Sequence, residues 1–218
     1  MKNPALSRIP LLYLITDRRK LAATPSSPDR PLGSFIGAAL EAGVDMIQIR
    51  ERDLSTLDQY SLTRQAVEIS SRSGGVVLVN DRADIAAACP GAGVHLTTRS
   101  MSVATVRQRF GERMLIGAST HSRAEAERAE QEGADFVVFG PVYETASKKE
   151  YGLPVGLDAL ASVTRNAGIP VLAIGGIDPS RFQEVLDRGA SGIAGISLFA
   201  EARDLSALVR LAKRTAGR

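Results

Sequence analysis

The chain has 218 residues, a hydrophobic content of 44% and a formal net charge of +3, which suits one globular α/β domain with a sizeable core. Its single cysteine, Cys89, excludes an internal disulfide and a zinc site built from several cysteines. No apolar run approaches the roughly 20 residues of a membrane span, and residues 1–10 lack the apolar core of a signal peptide. We therefore expect a cytoplasmic protein without a membrane partner.

The positive charge raises the question of a nucleic-acid partner. The Lys and Arg residues are scattered, however, and aromatic residues, which would stack on bases, make up only 5% of the chain. We therefore expect no nucleic-acid partner and interpret the charge as a basic mouth that receives small phosphorylated substrates.

Short apolar runs typical of buried parallel strands recur along the chain, separated by segments with apolar residues at helical spacing. In chain order the predicted strands are 11–15, 46–49, 76–79, 93–96, 115–118, 136–139, 171–174 and 193–196. Eight alternations without a change of composition favour a single (β/α)₈ TIM-barrel domain over residues 1–218, rather than a doubly wound sheet.

Two irregular stretches interrupt the alternation. Residues 20–31, rich in Pro and Ser, are predicted to form a mobile loop after the first strand. Residues 143–155 are predicted to form a long active-site loop after the sixth strand. Both would lie at the carboxyl face of the barrel, where active sites of this fold are built.

Glycines mark the ends of the last two strands. Gly175 and Gly176 follow the seventh strand, and Ile196 and Ser197 follow a glycine in the eighth. Because glycine has no Cβ, backbone N–H groups beside it can approach an anion closely. Barrels of this type hold phosphate near strands 7 and 8. The sequence therefore predicts an anion site formed by these two turns.

Polar side chains cluster just after the predicted strands. Gln48, Arg50 and Arg52 have a period of two, so they point to one side of their strand. Polar groups that face into a barrel are costly unless a ligand or a counter-charge meets them. The other candidates at strand ends are Asn80, Asp81, Ser119, His121, Thr145, Ser147 and Lys148.

Each candidate also has a plain structural interpretation. Arg50 could pair with an internal carboxylate, and Asp81 or His121 could cap the helix that follows it. Lys148 could be a solvated loop charge. The shared location of these residues at one rim of a barrel is the stronger argument for a site.

At these positions the chain resembles the thiamine phosphate synthase and TenI family, over about residues 12–199. The motifs that carry the resemblance are Tyr-Leu-Ile-Thr-Asp at 13–17, Gln-Ile-Arg-Glu-Arg at 48–52, Val-Asn-Asp-Arg at 79–82, Gly-Val-His-Leu at 93–96, Ile-Gly-Ala-Ser-Thr-His at 116–121, Gly-Pro-Val-Tyr-Glu-Thr-Ala-Ser-Lys at 140–148 and Ala-Ile-Gly-Gly-Ile at 173–177.

The resemblance implies a synthase that joins hydroxymethylpyrimidine diphosphate to hydroxyethylthiazole phosphate, with diphosphate leaving before the thiazole nitrogen attacks. It implies that the leaving diphosphate is gripped by Arg50, Arg52, Asn80, Ser119 and Lys148. By the same resemblance Gln48 holds the pyrimidine, and Thr145 and Ser147 flank the thiazole and the diphosphate. The backbone of Gly176, Ile196 and Ser197 would hold the thiazole phosphate.

Two positions depart from the synthase pattern. Arg52 stands where the pattern usually has Lys, and Ser100 stands where it usually has an Asp that binds Mg²⁺. Asp81 remains as the other expected metal carboxylate. Since Mg²⁺ can be held by one or two carboxylates together with substrate phosphates and water, the resemblance still implies Mg²⁺ as the cofactor. Arg99 could replace part of the charge neutralisation that is lost with this metal ligand.

Two alternatives stay open. The second branch of the family consists of thiazole tautomerases, in which His121 would serve as the proton-transfer base, since a neutral imidazole near pH 7 suits that role. A non-catalytic module that binds thiazole phosphate or thiamine phosphate would keep the phosphate turns and lose the turnover residues. Many family members are dimeric, so the resemblance allows a homodimer.

Overall fold

Eight parallel strands close into a barrel in sequence order, in a computed structural model that describes residues 4–22, 31–145 and 153–215. The strands are β1 (Leu11–Ile15), β2 (Met46–Ile49), β3 (Val76–Asn80), β4 (Ala92–Leu96), β5 (Ile116–Thr120), β6 (Phe136–Phe139), β7 (Val171–Ile174) and β8 (Gly192–Gly195). The predicted TIM-barrel fold is confirmed, and the predicted strand ends agree with the structure to within two residues.

Helices follow the strands and pack on the outside of the barrel. They are α1 (Arg18–Ala22), α2 (Leu32–Glu41), α3 (Thr56–Ser73), α4 (Ala83–Ala88), α5 (Val103–Phe110), α6 (Arg123–Gln131), α7 (Gly156–Asn166), α8 (Phe182–Asp187), α9 (Ser197–Ala200) and α10 (Leu205–Thr215). Over the part of the chain that the structure describes, no helix has both the length and the apolar character needed to cross a membrane.

Helix α1 corrects one prediction about the loop after the first strand. Residues 20–22 belong to this helix rather than to a loop. The reason is local, because the Asp17 side chain accepts the N–H groups of Arg19 (3.1 Å) and Lys20 (3.3 Å) and so starts a helix at once. The rest of the predicted mobile loop, through residue 30, lies outside the described residues.

Strand alternation divides the core into two layers. Side chains such as Leu11, Tyr13 and Ile15 fill the barrel interior, while their neighbours along β1 pack outward against the helices. Interior volume is shared between adjacent strands: the Phe136 ring occupies the space beside Gly117, where any Cβ would overlap it. This apolar filling occupies the lower part of the barrel and leaves its carboxyl end for polar side chains.

A buried ion pair joins the last helix to the first two strands at the bottom of the barrel. The Asp45 carboxylate is 7% exposed and accepts the Leu12 N–H (2.8 Å) and the Lys213 ammonium (2.7 Å) through Oδ2. Lys213 also donates to the carbonyl of Pro10 (2.7 Å). These contacts hold α10 across the seam where β1 and β2 pair.

We predict that Lys213→Met lowers the free energy of unfolding by about 2 kcal/mol, because it leaves the buried Asp45 charge with one backbone donor. Urea unfolding followed by circular dichroism measures the change. Arg123→Met is the control, since it removes an exposed i,i+4 pair with Glu127 and should change stability by less than about 0.5 kcal/mol. Equal effects of the two substitutions would contradict the prediction.

Candidate active site

A cavity of about 400 Å³ opens at the carboxyl ends of the strands. Its lining residues are Ile15, Asp17, Lys20, Gln48, Arg50, Arg52, Asn80, His95, Thr97, Thr98, Arg99, Ser119, His121, Val138, Ile174 and Ile196. Each comes from a strand end or from the segment that directly follows one. The position agrees with the general rule that active sites of this fold lie at this face.

The structure brings together about half of the residues that the sequence nominated. The predicted site residues in the cavity lining are Gln48, Arg50, Arg52, Asn80, Ser119, His121 and Ile196. The described candidates outside that lining are Asp81, Thr145, Gly175, Gly176 and Ser197. Ser147 and Lys148 lie outside the described residues.

Several lining residues are not among the predicted site residues. Lys20 reaches the cavity because α1 begins immediately after β1, so one helical turn separates Lys20 from Asp17. His95 ends an inward-facing row of β4, and its alternation with buried apolar residues was the available signal. Thr97 and Thr98 also line the cavity, from the segment that follows β4.

A series of side-chain hydrogen bonds fixes the amides on the cavity floor. Gln48 Nε2 donates to Asn80 Oδ1 (2.8 Å), and Asn80 Nδ2 donates to Asp81 Oδ2 (2.6 Å). With its amide oriented in this way, Gln48 presents Oε1 as a buried acceptor that has no hydrogen-bond partner among the described residues. A buried polar atom of this kind is normally satisfied by a partner, so this one calls for a ligand donor or a water.

Asp81 joins the segments after β3 and β4. Its Oδ1 accepts hydrogen bonds from the hydroxyls of Thr97 (3.2 Å) and Ser100. Its backbone has φ of 61°, the left-handed region that side-chain-bearing residues seldom adopt. Arg82 rather than Asp81 stands at the N-cap of α4, so the plain role of Asp81 as a helix cap is excluded.

Below the amides, aromatic rings and a histidine close the floor. His95 Nε2 lies 2.9 Å from Ser119 Oγ, and its ring centroid lies 5.7 Å from that of Tyr13. The Tyr13 hydroxyl is fully buried, and desolvation raises the pKa of this phenol well above its usual value. Tyr13 is therefore a neutral part of the floor at physiological pH.

Cationic side chains crowd the mouth of the cavity. Among the described residues its lining includes Lys20 from α1, Arg50 and Arg52 from the segment after β2, and Arg99 from the segment after β4. Asp17 is the one carboxylate that the described residues contribute to this lining. Like charges gathered around a cavity are stabilised by a bound anion, and diphosphate or phosphate groups supply such charge.

His121 lines the cavity from the position directly after β5. Its Nδ1 contacts the carbonyl oxygen of Gly140, and its backbone N–H donates to Glu125 Oε2 (2.6 Å). Because a carbonyl can only accept, Nδ1 carries the proton of the neutral imidazole and the lone pair lies on Nε2. The ring can therefore act as a base through Nε2.

The glycine turn after β7 is required by packing as well as by φ. Gly175 and Gly176 have φ of 98° and 65°. A Cβ on Gly176 would overlap the Glu144 carbonyl oxygen and lie 2.7 Å from Tyr143 Cβ. From the sequence, we explained this glycine by the close approach of an anion. The structure shows that close approach by the segment after β6 already requires it.

This contact between the two turns is reinforced by charged side chains. The Arg181 guanidinium lies 4.3 Å from the centroid of the Tyr143 ring, and the Tyr143 hydroxyl donates to Glu184 (2.7 Å). Desolvation, with the hydrogen bond to Glu184, raises the pKa of Tyr143 to about 12. The first residues of the active-site loop are thereby fixed to the β7 turn.

The turn after β8 divides two pockets. Ile196 lines the main cavity, whereas Ser197 and Gly176 line a second, more open pocket of about 590 Å³ beside α10. The two predicted phosphate turns therefore meet in the second pocket through Gly176 and Ser197, and Ile196 alone of their residues lines the cationic cavity among the described residues.

Comparisons with known proteins agree with this geometry. The sequence profile of the family described as thiamine monophosphate synthase matches residues 12–199. A Geobacter sulfurreducens protein provisionally named thiamine-phosphate synthase is 44% identical over 186 residues, 85% of this chain and 84% of its own. A Clostridium botulinum thiamine-phosphate synthase is 36% identical over 194 residues, 89% of this chain and 92% of its own.

A solved structure extends the similarity to the whole fold. Thiamine phosphate pyrophosphorylase from Pyrococcus furiosus superposes with a TM-score of 0.84 at 30% identity, covering 97% of each chain. Fold and relatives together define a TIM-barrel enzyme that acts on small phosphorylated substrates. The chain belongs to the thiamine monophosphate synthase family.

We predict that Gly176→Ala destabilises the fold by about 1–3 kcal/mol more than Gly111→Ala does. Both glycines have positive φ, but nothing lies within 4 Å of a Cβ built on Gly111, whereas one on Gly176 meets the Tyr143 segment. The difference between the two unfolding free energies compares a glycine whose Cβ would clash with one whose Cβ would meet no neighbour. Equal losses of unfolding free energy would contradict the prediction, because they would show that the turn after β7 can move to accept a Cβ at little cost.

Proposed function

We propose that this chain is a thiamine-phosphate synthase that condenses hydroxymethylpyrimidine diphosphate with hydroxyethylthiazole phosphate, giving thiamine phosphate and diphosphate. The observation that carries the proposal is the pairing, in one cavity, of four cationic side chains with the buried acceptor Gln48 Oε1. The cations suit a diphosphate, and the acceptor suits an amino-substituted ring. The relatives named for this activity support the same assignment.

The chemistry requires stabilisation of a leaving diphosphate. The bond between the pyrimidine methylene carbon and the diphosphate oxygen breaks, and its electron pair leaves with the diphosphate. Arg50, Arg52, Asn80 and Ser119 surround the space that this group would occupy, and donors held there stabilise the charge as it develops. Lys148, assigned by resemblance, would add a further cation.

The carbon–nitrogen bond then forms at the methylene carbon attached to the pyrimidine. The thiazole nitrogen gives its lone pair to the methylene carbon and becomes the positively charged nitrogen of the thiazolium. Gln48 Oε1 would accept a hydrogen bond from the amino group of the pyrimidine, because the Gln48 amide is already oriented by Asn80. Because the ring is already oriented when it binds, less entropy is lost in reaching the transition state.

The thiazole phosphate would lie at the meeting point of the two glycine-marked turns. Backbone groups of Gly175, Gly176, Ile196 and Ser197 would hold its phosphate, with Thr145 and Ser147 flanking the thiazole. These roles rest on the resemblance and on the neighbouring position of the turns after β7 and β8 beside the cavity. In this proposal the thiazole faces the pyrimidine across the barrel mouth.

The residues fit a Mg²⁺ ion that is held largely by substrate. An ionised carboxylate offers about four lone-pair positions, and three on Asp81 are used by Asn80, Thr97 and Ser100. One position on Oδ2 remains for a metal, and the described residues contain no cluster of three acidic, His or Cys side chains. When bound, Mg²⁺ would neutralise diphosphate charge, with Asp81 as its protein ligand.

We predict that Ser100→Asp creates Mg²⁺ binding in the absence of diphosphate, because it places a second carboxylate beside Asp81 in exchange for a hydroxyl donor. Calorimetric titration of the protein with MgCl₂ measures this binding. Ser102→Asp is the matched control, since it adds the same charge at the N-cap of α5, away from Asp81. Binding that is no tighter in the first variant than in the second would contradict the fit.

A thiazole tautomerase is the second candidate, favoured by the contact that fixes His121. With Nδ1 directed to the Gly140 carbonyl, the imidazole keeps a basic Nε2 in the cavity lining. A base in this position could move a proton on the thiazole ring. Gln48 and the cations of the mouth would then have no pyrimidine diphosphate to bind, and for this reason we prefer the synthase.

The two candidates rank the same variants in opposite order. For the synthase, Asp81→Ala and Lys148→Ala should each lower thiamine phosphate formation by about 10²-fold, the effect of removing an electrostatic stabiliser, and His121→Asn by less. For the tautomerase, His121→Asn should cost about 10²–10⁴-fold and Asp81→Ala should cost less than His121→Asn. Product analysis with both substrates and Mg²⁺, beside proton exchange on the thiazole followed by NMR, separates them.

A further inference from the structure

We propose that Glu51 is a positioning residue that fixes the diphosphate-binding arginines by joining the segments after β1 and β2. Glu51 lies between Arg50 and Arg52 in the sequence, and strand-like alternation sends its side chain to the opposite side from theirs. Glu51 is absent from the cavity lining and is 5% exposed. The inference rests on the proposed function, since it assigns a role within that same site.

Among the residues that the structure describes, Arg18 is the one hydrogen-bond partner of the Glu51 carboxylate. Both of its oxygens accept the backbone N–H of Arg18, at 3.1 and 3.2 Å, and Oε2 also lies 3.4 Å from Arg18 Nη1. A buried carboxylate without such donors would be strongly unfavourable. The hydrogen bonds to the Glu51 carboxylate therefore hold the first residue of α1 against the segment after β2.

This junction controls cavity residues on both of its sides. Arg18 lies between Asp17 and Lys20, which line the cavity from the β1 side, just as Arg50 and Arg52 line it from the β2 side. The strands beneath are already paired, since Arg50 N donates to Thr16 Oγ1 at 3.0 Å. Glu51 extends that pairing beyond the strand ends, where no ladder hydrogen bond remains.

An exposed carboxylate provides a natural comparison. Asp53 accepts two hydrogen bonds from the Arg18 guanidinium (2.5 and 2.9 Å) and one from Arg19 (2.7 Å), and these bonds lower the pKa of Asp53 to about 2. Asp53 thus contacts the same arginine from the solvent side, and exposed pairs contribute little. The backbone bond to Glu51, rather than the outer ion pairs, is the contact that positions the arginines.

The test measures binding of inorganic diphosphate by calorimetry, which needs no turnover. Glu51→Ala should weaken diphosphate binding by about tenfold or more, the effect of losing hydrogen bonds to a buried charge. Glu51→Gln keeps an acceptor for the Arg18 N–H and should stay within about threefold of the wild type. Asp53→Asn should stay within about twofold. Affinity for hydroxyethylthiazole phosphate should be unchanged in all three.

A second pair of variants isolates the backbone bond without touching Glu51. Arg18→Ala removes the side chain and keeps the N–H, whereas Arg18→Pro removes both at the first residue of α1, where proline is tolerated. Arg18→Pro should bind diphosphate about tenfold more weakly than Arg18→Ala. This comparison decides the question if Glu51→Ala does not fold.

Two results would overturn the proposal. The first is unchanged diphosphate affinity in Glu51→Ala together with equal affinity in Arg18→Ala and Arg18→Pro. The second is a parallel loss of affinity for diphosphate and for hydroxyethylthiazole phosphate, which would indicate a general loosening of the fold. Failure of the proposed function is a separate outcome. It would appear as a wild-type protein that makes no thiamine phosphate, whereas the ordering of the variants by diphosphate affinity would still decide the role of Glu51. In an active enzyme, KM for the pyrimidine diphosphate should rise in Glu51→Ala while KM for the thiazole phosphate stays constant.

Discussion

Alternation of side chains along eight closed strands is the constraint on which this molecule depends. Every second residue must enter the barrel, where apolar side chains such as Tyr13 and Phe136 fill the lower layers. Toward the carboxyl ends the same inward rows become Gln48, Asn80 and His95. The site is therefore the last interior layer of the core, built from polar residues because it has a ligand or solvent to face.

Satisfaction of buried polar groups then orders that layer. Gln48 is oriented by Asn80, Asn80 by Asp81, and Asp81 by the hydroxyls of Thr97 and Ser100. The series runs from Gln48 in β2 to Asn80 and Asp81 at the end of β3 and on to the segment after β4, so these three strands are tied together above the core. The series connects Gln48 Oε1, an acceptor without a hydrogen-bond partner among the described residues, to the carboxylate of Asp81.

The positive charge around the mouth is also balanced by carboxylates that lie outside the cavity. Lys20, Arg50, Arg52 and Arg99 line one cavity, and a bound anion would offset their charge. Buried Glu51 and solvent-facing Asp53 balance the basic segment from behind, where neither competes with an anion for the cavity. His121 lines this cavity too, which explains how one barrel can be interpreted either as a synthase or as a tautomerase.

Sequence alone determined the barrel and the rim. The eight apolar runs, their period and their glycine-marked ends are local properties, and local chemistry sufficed to predict strands to within two residues. The period of Gln48, Arg50 and Arg52 likewise predicted side chains that line one cavity. Only the tertiary structure decided which polar groups meet. Glu51 finds the Arg18 N–H, and Ser100 finds Asp81, across separations of 33 and 19 residues. It also showed that Gly176 is required by the segment after β6, because contacts between distant segments depend on how strand ends converge in space and leave no periodic signal in the chain.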